Sequence, residues 1–107
     1  MTDNVISVTE LKNQIRNDQN LLLIDVRSQQ ERDMYNIGGV LIPLQEMSEQ
    51  LNKIDRNKNI VVYCHTGARS LMAVKLLTEA GYNSARSLAG GVMAWQADEV
   101  ELETSDA

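Results

Sequence analysis

The chain is short of several residue types at once. Its 107 residues include one cysteine, one histidine, one proline, one tryptophan and no phenylalanine. A lone cysteine excludes an internal disulfide and any mechanism that needs a resolving cysteine in the same chain. It fits a reducing compartment, so a cytoplasmic location is expected. With no Phe and few aromatics, Leu, Ile, Val and Met must fill the interior, and the five Met residues read as gap-fillers of the core. No apolar run approaches membrane-spanning length. The opening "MTDNVISVTELKN" has neither the positive region nor the apolar segment that marks a signal peptide. Positive charge is in deficit too: ten Lys and Arg against fifteen Asp and Glu leave a net charge of −5, which argues against nucleic acid or an anionic membrane as the main partner.

What remains suits one ordinary domain. The length allows an adequate core without metal or disulfide help. No repeat or low-complexity linker divides the chain. The expected organisation is a single domain over 1–107, with a core of about 6–96 and an acidic tail, 97–107, "ADEVELETSDA", read as a frayed and solvated end.

Strands and helices alternate along the chain. Ser7 followed by Glu10 is a capping pattern for a first helix, with Leu11 and Ile15 as its apolar face. "LLLIDV" (21–26) has the continuous apolar pattern of a strand buried on both faces. Ser28 can cap a short polar helix, and Gly38-Gly39 makes a turn before a brief strand near Val40–Ile42. Pro43 suits the opening of a helix that sets Leu44, Met47, Leu51 and Ile54 on one stripe. "IVVYC" (60–64) is a second fully buried strand. The next helix carries Leu71, Val74, Leu76 and Leu77, "SARSL" (84–88) holds a short strand, and "AGGVMAWQ" leads into a last helix. Such alternation with short loops points to a parallel sheet covered on both faces, whose ligands bind at the carboxyl ends of the strands. Asp25 and Cys64 both stand at such ends.

The chain's only thiol and only imidazole are adjacent, in "VVYCHTGARSLMAVKLL" (61–77). Cys64 lies at a strand's carboxyl end, with a helix expected to start about six residues later. Helix starts expose unpaired N–H groups and a partial positive charge, and a loop containing Gly67 can curl its amides into an anion-binding nest. Amides, dipole, His65 and Arg69 would then stabilise a thiolate and lower the cysteine pKa. The residues alone lead to a reactive cysteine in an anion-binding loop.

Four segments carry a resemblance. "CHTGARS" is similar to the active-site loop of rhodanese-like sulfurtransferases, Cys-x-x-Gly-x-Arg-Ser in single-domain members. "LLLIDVRSQQE" resembles the family's Asp-Val-Arg-x-x-x-Glu segment through Asp25, Val26, Arg27 and Glu31. "NIGGVLIPL" resembles its His-Ile-Pro-Gly-Ala-x-x-Ile-Pro segment, with Asn36 and Gly39 standing where the family usually has His and Pro. "LAGGVMAW" resembles its ending through Leu88, Gly90, Gly91 and Trp95. In family order these cover nearly the whole chain, from about residue 6 to 96. The Ile-Gly-Gly form also occurs in rhodanese-like domains attached to enzymes that adenylate ubiquitin-like sulfur carriers.

The resemblance implies a rhodanese-like α/β fold: a central, mostly parallel five-stranded sheet flanked by helices on both faces. It implies a sulfurtransferase in which Cys64 takes sulfane sulfur from thiosulfate or a similar small-molecule donor, becomes a persulfide, and yields the outer sulfur to cyanide or a thiol, a reduced thiol protein included. No cofactor or metal is called for. His65, Thr66, Gly67, Ala68 and Arg69 would bind the anion, while Asp25 and Arg27 brace the strand-end loops. Arg69 either grips the leaving anion or forms a salt bridge; His65 either contacts the anion or caps the loop. Three other readings stand beside this one. One is a sulfur relay with a protein donor or acceptor, another a partner-binding rhodanese module, and the third a cysteine phosphatase or arsenate reductase. Against the last, phosphatases of similar fold place five residues between Cys and Arg, where this loop has four.

Overall fold

A computed structural model describes residues 4–105, with side chains described through residue 102. Five strands, β1 (Val5–Ile6), β2 (Leu21–Asp25), β3 (Val40–Leu41), β4 (Asn59–Tyr63) and β5 (Arg86–Leu88), form one sheet in the order β1-β5-β4-β2-β3. Every pairing is parallel, so each connection must cross over a face, which puts helices on both sides. The helices are α1 (Val8–Asn17), α2 (Gln29–Met34), α3 (Met47–Gln50), α4 (Ala68–Glu79) and α5 (Gly91–Ser105).

The central strands show why the fold is stable and where it is open. Successive residues of β4 point to opposite faces. Ile60, Val62 and the following Cys64 join one cluster with Val74, Leu77 and Met47. Val61 and Tyr63 join another with Ile6, Leu11, Leu88 and Val92. Both faces are apolar and covered, as the unbroken hydrophobic runs imply. The register sets Asp25 opposite Tyr63, so β2 and β4 end level and their following loops emerge side by side. The loop that begins at Cys64 therefore rises from the middle of the sheet.

Local signals act as expected at several points. The Ser7 hydroxyl accepts from the Glu10 amide at 3.1 Å, and Ser28 and Glu31 close a full capping box on α2. Other expectations need correction. The segment after Pro43 is broken into a 3₁₀ turn (Leu44–Glu46), α3 and a second 3₁₀ turn (Leu51–Lys53). The stripe survives: Met47 and Ile54 are buried, with Leu44 and Leu51 packed against them. α4 begins at Ala68, earlier than expected, because Gly67 takes a left-handed cap conformation that ends the loop there. Its buried face is Ser70, Ala73, Val74 and Leu77, which turns Leu71 out to solvent. On α1 only Leu11 is buried, while Ile15 sits at the rim of a groove beside Trp95 and Ile37. The acidic stretch continues α5 as far as Ser105, exposed along much of its length through residue 102; residues 106–107 lie outside the described residues.

Leu77 is fully buried and Leu71 is 48% exposed, so one helix offers a paired test. Leu77→Ala is expected to destabilise by about 2–5 kcal/mol and Leu71→Ala by no more than ~0.5 kcal/mol, measured by urea unfolding.

Candidate active site

Cys64 is the first residue past β4, and only 1% of it is exposed. Its Sγ accepts hydrogen bonds from the backbone amides of Gly67 at 3.0 Å and Ser70 at 3.4 Å, and lies 3.4 Å from the Ser70 hydroxyl. The sulfur thus sits over the first turn of α4, where backbone N–H groups have no helical partner. Gly67 makes the curl possible. Its φ is +114°, a conformation that L side chains rarely adopt.

A second helix start holds the loop from outside. The Val92 amide of α5 donates to the Cys64 carbonyl at 2.9 Å, and the Met93 amide to the His65 carbonyl at 3.1 Å. Two outward carbonyls are thereby fixed, and with them the peptide planes that carry the loop's amides. The approach is too close for a side chain: a Cβ on Gly91 would lie 2.5 Å from both carbonyl oxygens.

Burial alone would raise the Cys64 pKa. Against it act the Ser70 hydroxyl and the amides of Ser70, Gly67 and Arg69, and their combined effect prevails: the thiol titrates below its ordinary value. Sequence pattern alone does not single out Ser70, although it closes the "CHTGARS" motif. Six residues past the cysteine and on the buried face of α4, it is the side chain that reaches back to the sulfur.

The other expected residues divide into two groups. His65 and Thr66 are exposed on the loop, and Ala68 is exposed at the first position of α4. His65 lines a groove of about 220 Å³ with Arg27, Glu31, Met34, Tyr35, Val92 and Gln96. Arg69 forms a bidentate ion pair with Glu31 of α2, at 2.8 and 2.7 Å, so of its two open roles the structure displays the salt bridge. Its hydrogen bonds hold the Glu31 carboxyl at about 2, well below the ordinary 4.5. Asp25 is fully buried and accepts from the Arg27 amide at 3.0 Å, from the Arg27 Nε at 2.9 Å, and from Arg32 Nη1 at 3.3 Å. Arg27 also donates to the Tyr35 carbonyl and lies over the Tyr63 ring, while Arg32 donates to the Gly39 carbonyl. This network ties the loop after β2 to the segment leading into β3. Asn36, at the position of the family's histidine, accepts from the Gly38 amide at 2.9 Å and shapes the same turn. Among the described residues no three His, Cys, Asp or Glu side chains gather as metal ligands, and no helix is long and apolar enough to cross a membrane.

Two outcomes follow from this geometry. Glu31 has a depressed pKa in the folded chain, so its contribution to stability is present above its ordinary pKa of 4.5 and lost as pH falls toward 2. Wild type should exceed Glu31→Gln by about 1 kcal/mol or less at neutral pH, because the pair is partly solvated. The gap should close in acid, as measured by urea unfolding across pH. Gly91→Ala, strained and in collision with backbone, should cost at least ~2 kcal/mol and slow alkylation of Cys64.

Comparison with known proteins identifies the family. Residues 7–98 match the rhodanese-like domain family. The chain is 39% identical over 93 residues to the probable adenylyltransferase/sulfurtransferase MoeZ of Mycobacterium tuberculosis, covering 84% of this chain and 24% of that protein. It is 35% identical over 94 residues to the putative sulfurtransferase YtwF of Bacillus subtilis, covering 87% of this chain and 90% of that one. The chain spans about half the length, or less, of several curated relatives it matches. A rhodanese-related protein from Thermoplasma volcanium superposes with a TM-score of 0.79 at 27% identity, over 89% of this chain and 92% of that one. Because the family model spans residues 7–98, most of the chain, and the fold agrees with a solved relative, the chain belongs to the rhodanese-like domain family.

Proposed function

We propose that the chain is a sulfurtransferase that works through a persulfide on Cys64. The observation that carries this reading is the buried Sγ, which accepts two backbone amides at the start of α4 and is held below the ordinary thiol pKa. The thiolate attacks the sulfane sulfur of a donor such as thiosulfate. A new S–S bond forms on Cys64, the donor's S–S bond breaks, and sulfite leaves with the electron pair. A thiolate or cyanide then attacks the outer sulfur, and Cys64 departs as the thiolate it was at the start. Both steps place negative charge in the loop. The amides of Gly67 and Ser70 supply donors that need no reorganisation at that moment, as an oxyanion hole does.

His65 lines the groove beside the loop. Arg69 would meet a leaving anion by sharing its guanidinium with Glu31, whose two carboxylate oxygens it engages. A protein as donor or acceptor is the second reading. It is supported by the exposed Met34 and Met93 near the groove and by likeness to a relative named as an adenylyltransferase/sulfurtransferase. A thiol acceptor suits a reducing compartment. Phosphatase chemistry is disfavoured by the loop itself, which has one residue fewer between Cys64 and Arg69 than that class requires.

Intact mass after exposure to thiosulfate tests the proposal. A gain of about 32 Da is expected on wild type and not on Cys64→Ser, removed by cyanide with release of thiocyanate. No gain with thiosulfate or with an organic persulfide would contradict it.

A further inference from the structure

Ser87 is a polar residue in a place that packing alone would fill with an apolar one. It lies on β5 between Arg86 and Leu88, pairs with Val5 on one side and Val62 on the other, and is 1% exposed. Leu88 faces the cluster of Ile6, Leu11 and Val92, so Ser87 faces the opposite side, toward α4. There its Oγ meets the Ser70 Oγ at 2.6 Å, the short separation of two buried hydroxyls that share one proton position.

Ser70 has one hydroxyl proton and three neighbours that could take it. They are the Cys64 Sγ at 3.4 Å, the Gly67 carbonyl at 3.1 Å and the Ser87 Oγ. Among the described residues, Ser70 is the hydrogen-bond partner of the Ser87 hydroxyl. A buried hydroxyl left without a use for its proton is costly, so the Ser87 proton goes to Ser70. That assignment removes Ser87 as an acceptor and leaves the Ser70 proton to the sulfur or to the Gly67 carbonyl. It also fills a lone pair of Ser70 that a protonated Cys64 would otherwise use. Both effects favour the thiolate over the thiol, and hydroxyls in series polarise one another.

We infer that Ser87 is a positioning residue for the nucleophile: by donating to Ser70 it directs the Ser70 proton toward the Cys64 sulfur and so raises the thiolate fraction. The inference builds on Cys64 as the reactive group but is read on the thiol itself, so it stands or falls independently of sulfur transfer. The ionisable groups at this end of the sheet are Asp25 at the end of β2, Arg27 past it, Glu31 and Arg32 on α2, Arg69 on α4 and His65 in the loop. Arg86, next to Ser87 on β5, alternates to the other face and donates to Gln14 and Asn59 there, so substitution of Ser87 leaves these groups in place.

The test is the pH dependence of Cys64 alkylation by iodoacetamide in wild type, Ser87→Ala, Ser70→Ala and the double variant, with folding checked by Trp95 fluorescence. Ser87→Ala should raise the midpoint and reduce alkylation below it by roughly two- to fivefold. In the Ser70→Ala background it should add nothing. An unchanged midpoint in folded Ser87→Ala, or an equal shift in both backgrounds, overturns the inference. A measurement on intact wild type covers the case of a variant that does not fold. The ¹³Cβ resonance of Ser87 should titrate with the Cys64 midpoint, and its failure to do so is equally contrary.

Discussion

A thiolate withdrawn from water needs hydrogen-bond donors in place before it forms, and this requirement shapes the end of the sheet. The amides of Gly67 and Ser70 supply two of them from the first turn of α4. Neither would point at the sulfur without the left-handed conformation of Gly67, nor stay there without α5 gripping the carbonyls of Cys64 and His65 from outside. Two helix starts thus act on one loop, α4 on the sulfur and α5 on the carbonyls behind it. The sheet makes this possible, because parallel strands end together and deliver both helices to the same edge.

Charge is handled differently from hydrogen bonding. The cations near the loop are largely engaged: Arg27 and Arg32 with Asp25, Arg69 with Glu31. Asp25 is fully buried and satisfied by the Arg27 amide and two guanidinium groups, an arrangement that fixes geometry more than it adds stability. The site therefore relies on oriented backbone dipoles for the sulfur, and uses its ion pairs to hold the surrounding loops in register.

Much of this was legible in the sequence. The apolar runs at 21–26 and 60–64 marked the two central strands, and the placement of Cys64 and Gly67 between strand and helix marked the loop. Four ordered segments gave the family. What was not legible depends on phase and on distance in the chain. Helical periodicity identifies a stripe but not which side of it meets the sheet, so Leu71 and Ile15 were expected inside and lie outside. Pro43 announces a helix, and the segment is instead a short α3 between two 3₁₀ turns, a break that the apolar spacing does not signal. The bidentate pair of Arg69 with Glu31 joins residues 38 apart in sequence, and Ser87 reaches Ser70 from another strand. Neither contact has a local signal.

The most direct measurement is an ultraviolet titration of the thiolate, folded against unfolded in urea, on a chain whose single cysteine makes the signal unambiguous. If the loop is a thiolate nest, the folded chain titrates at the lower pH and Cys64→Ser abolishes the transition. A folded midpoint at or above the unfolded one would mean that burial outweighs the donors around Sγ, and Cys64 would then not be the activated nucleophile described here.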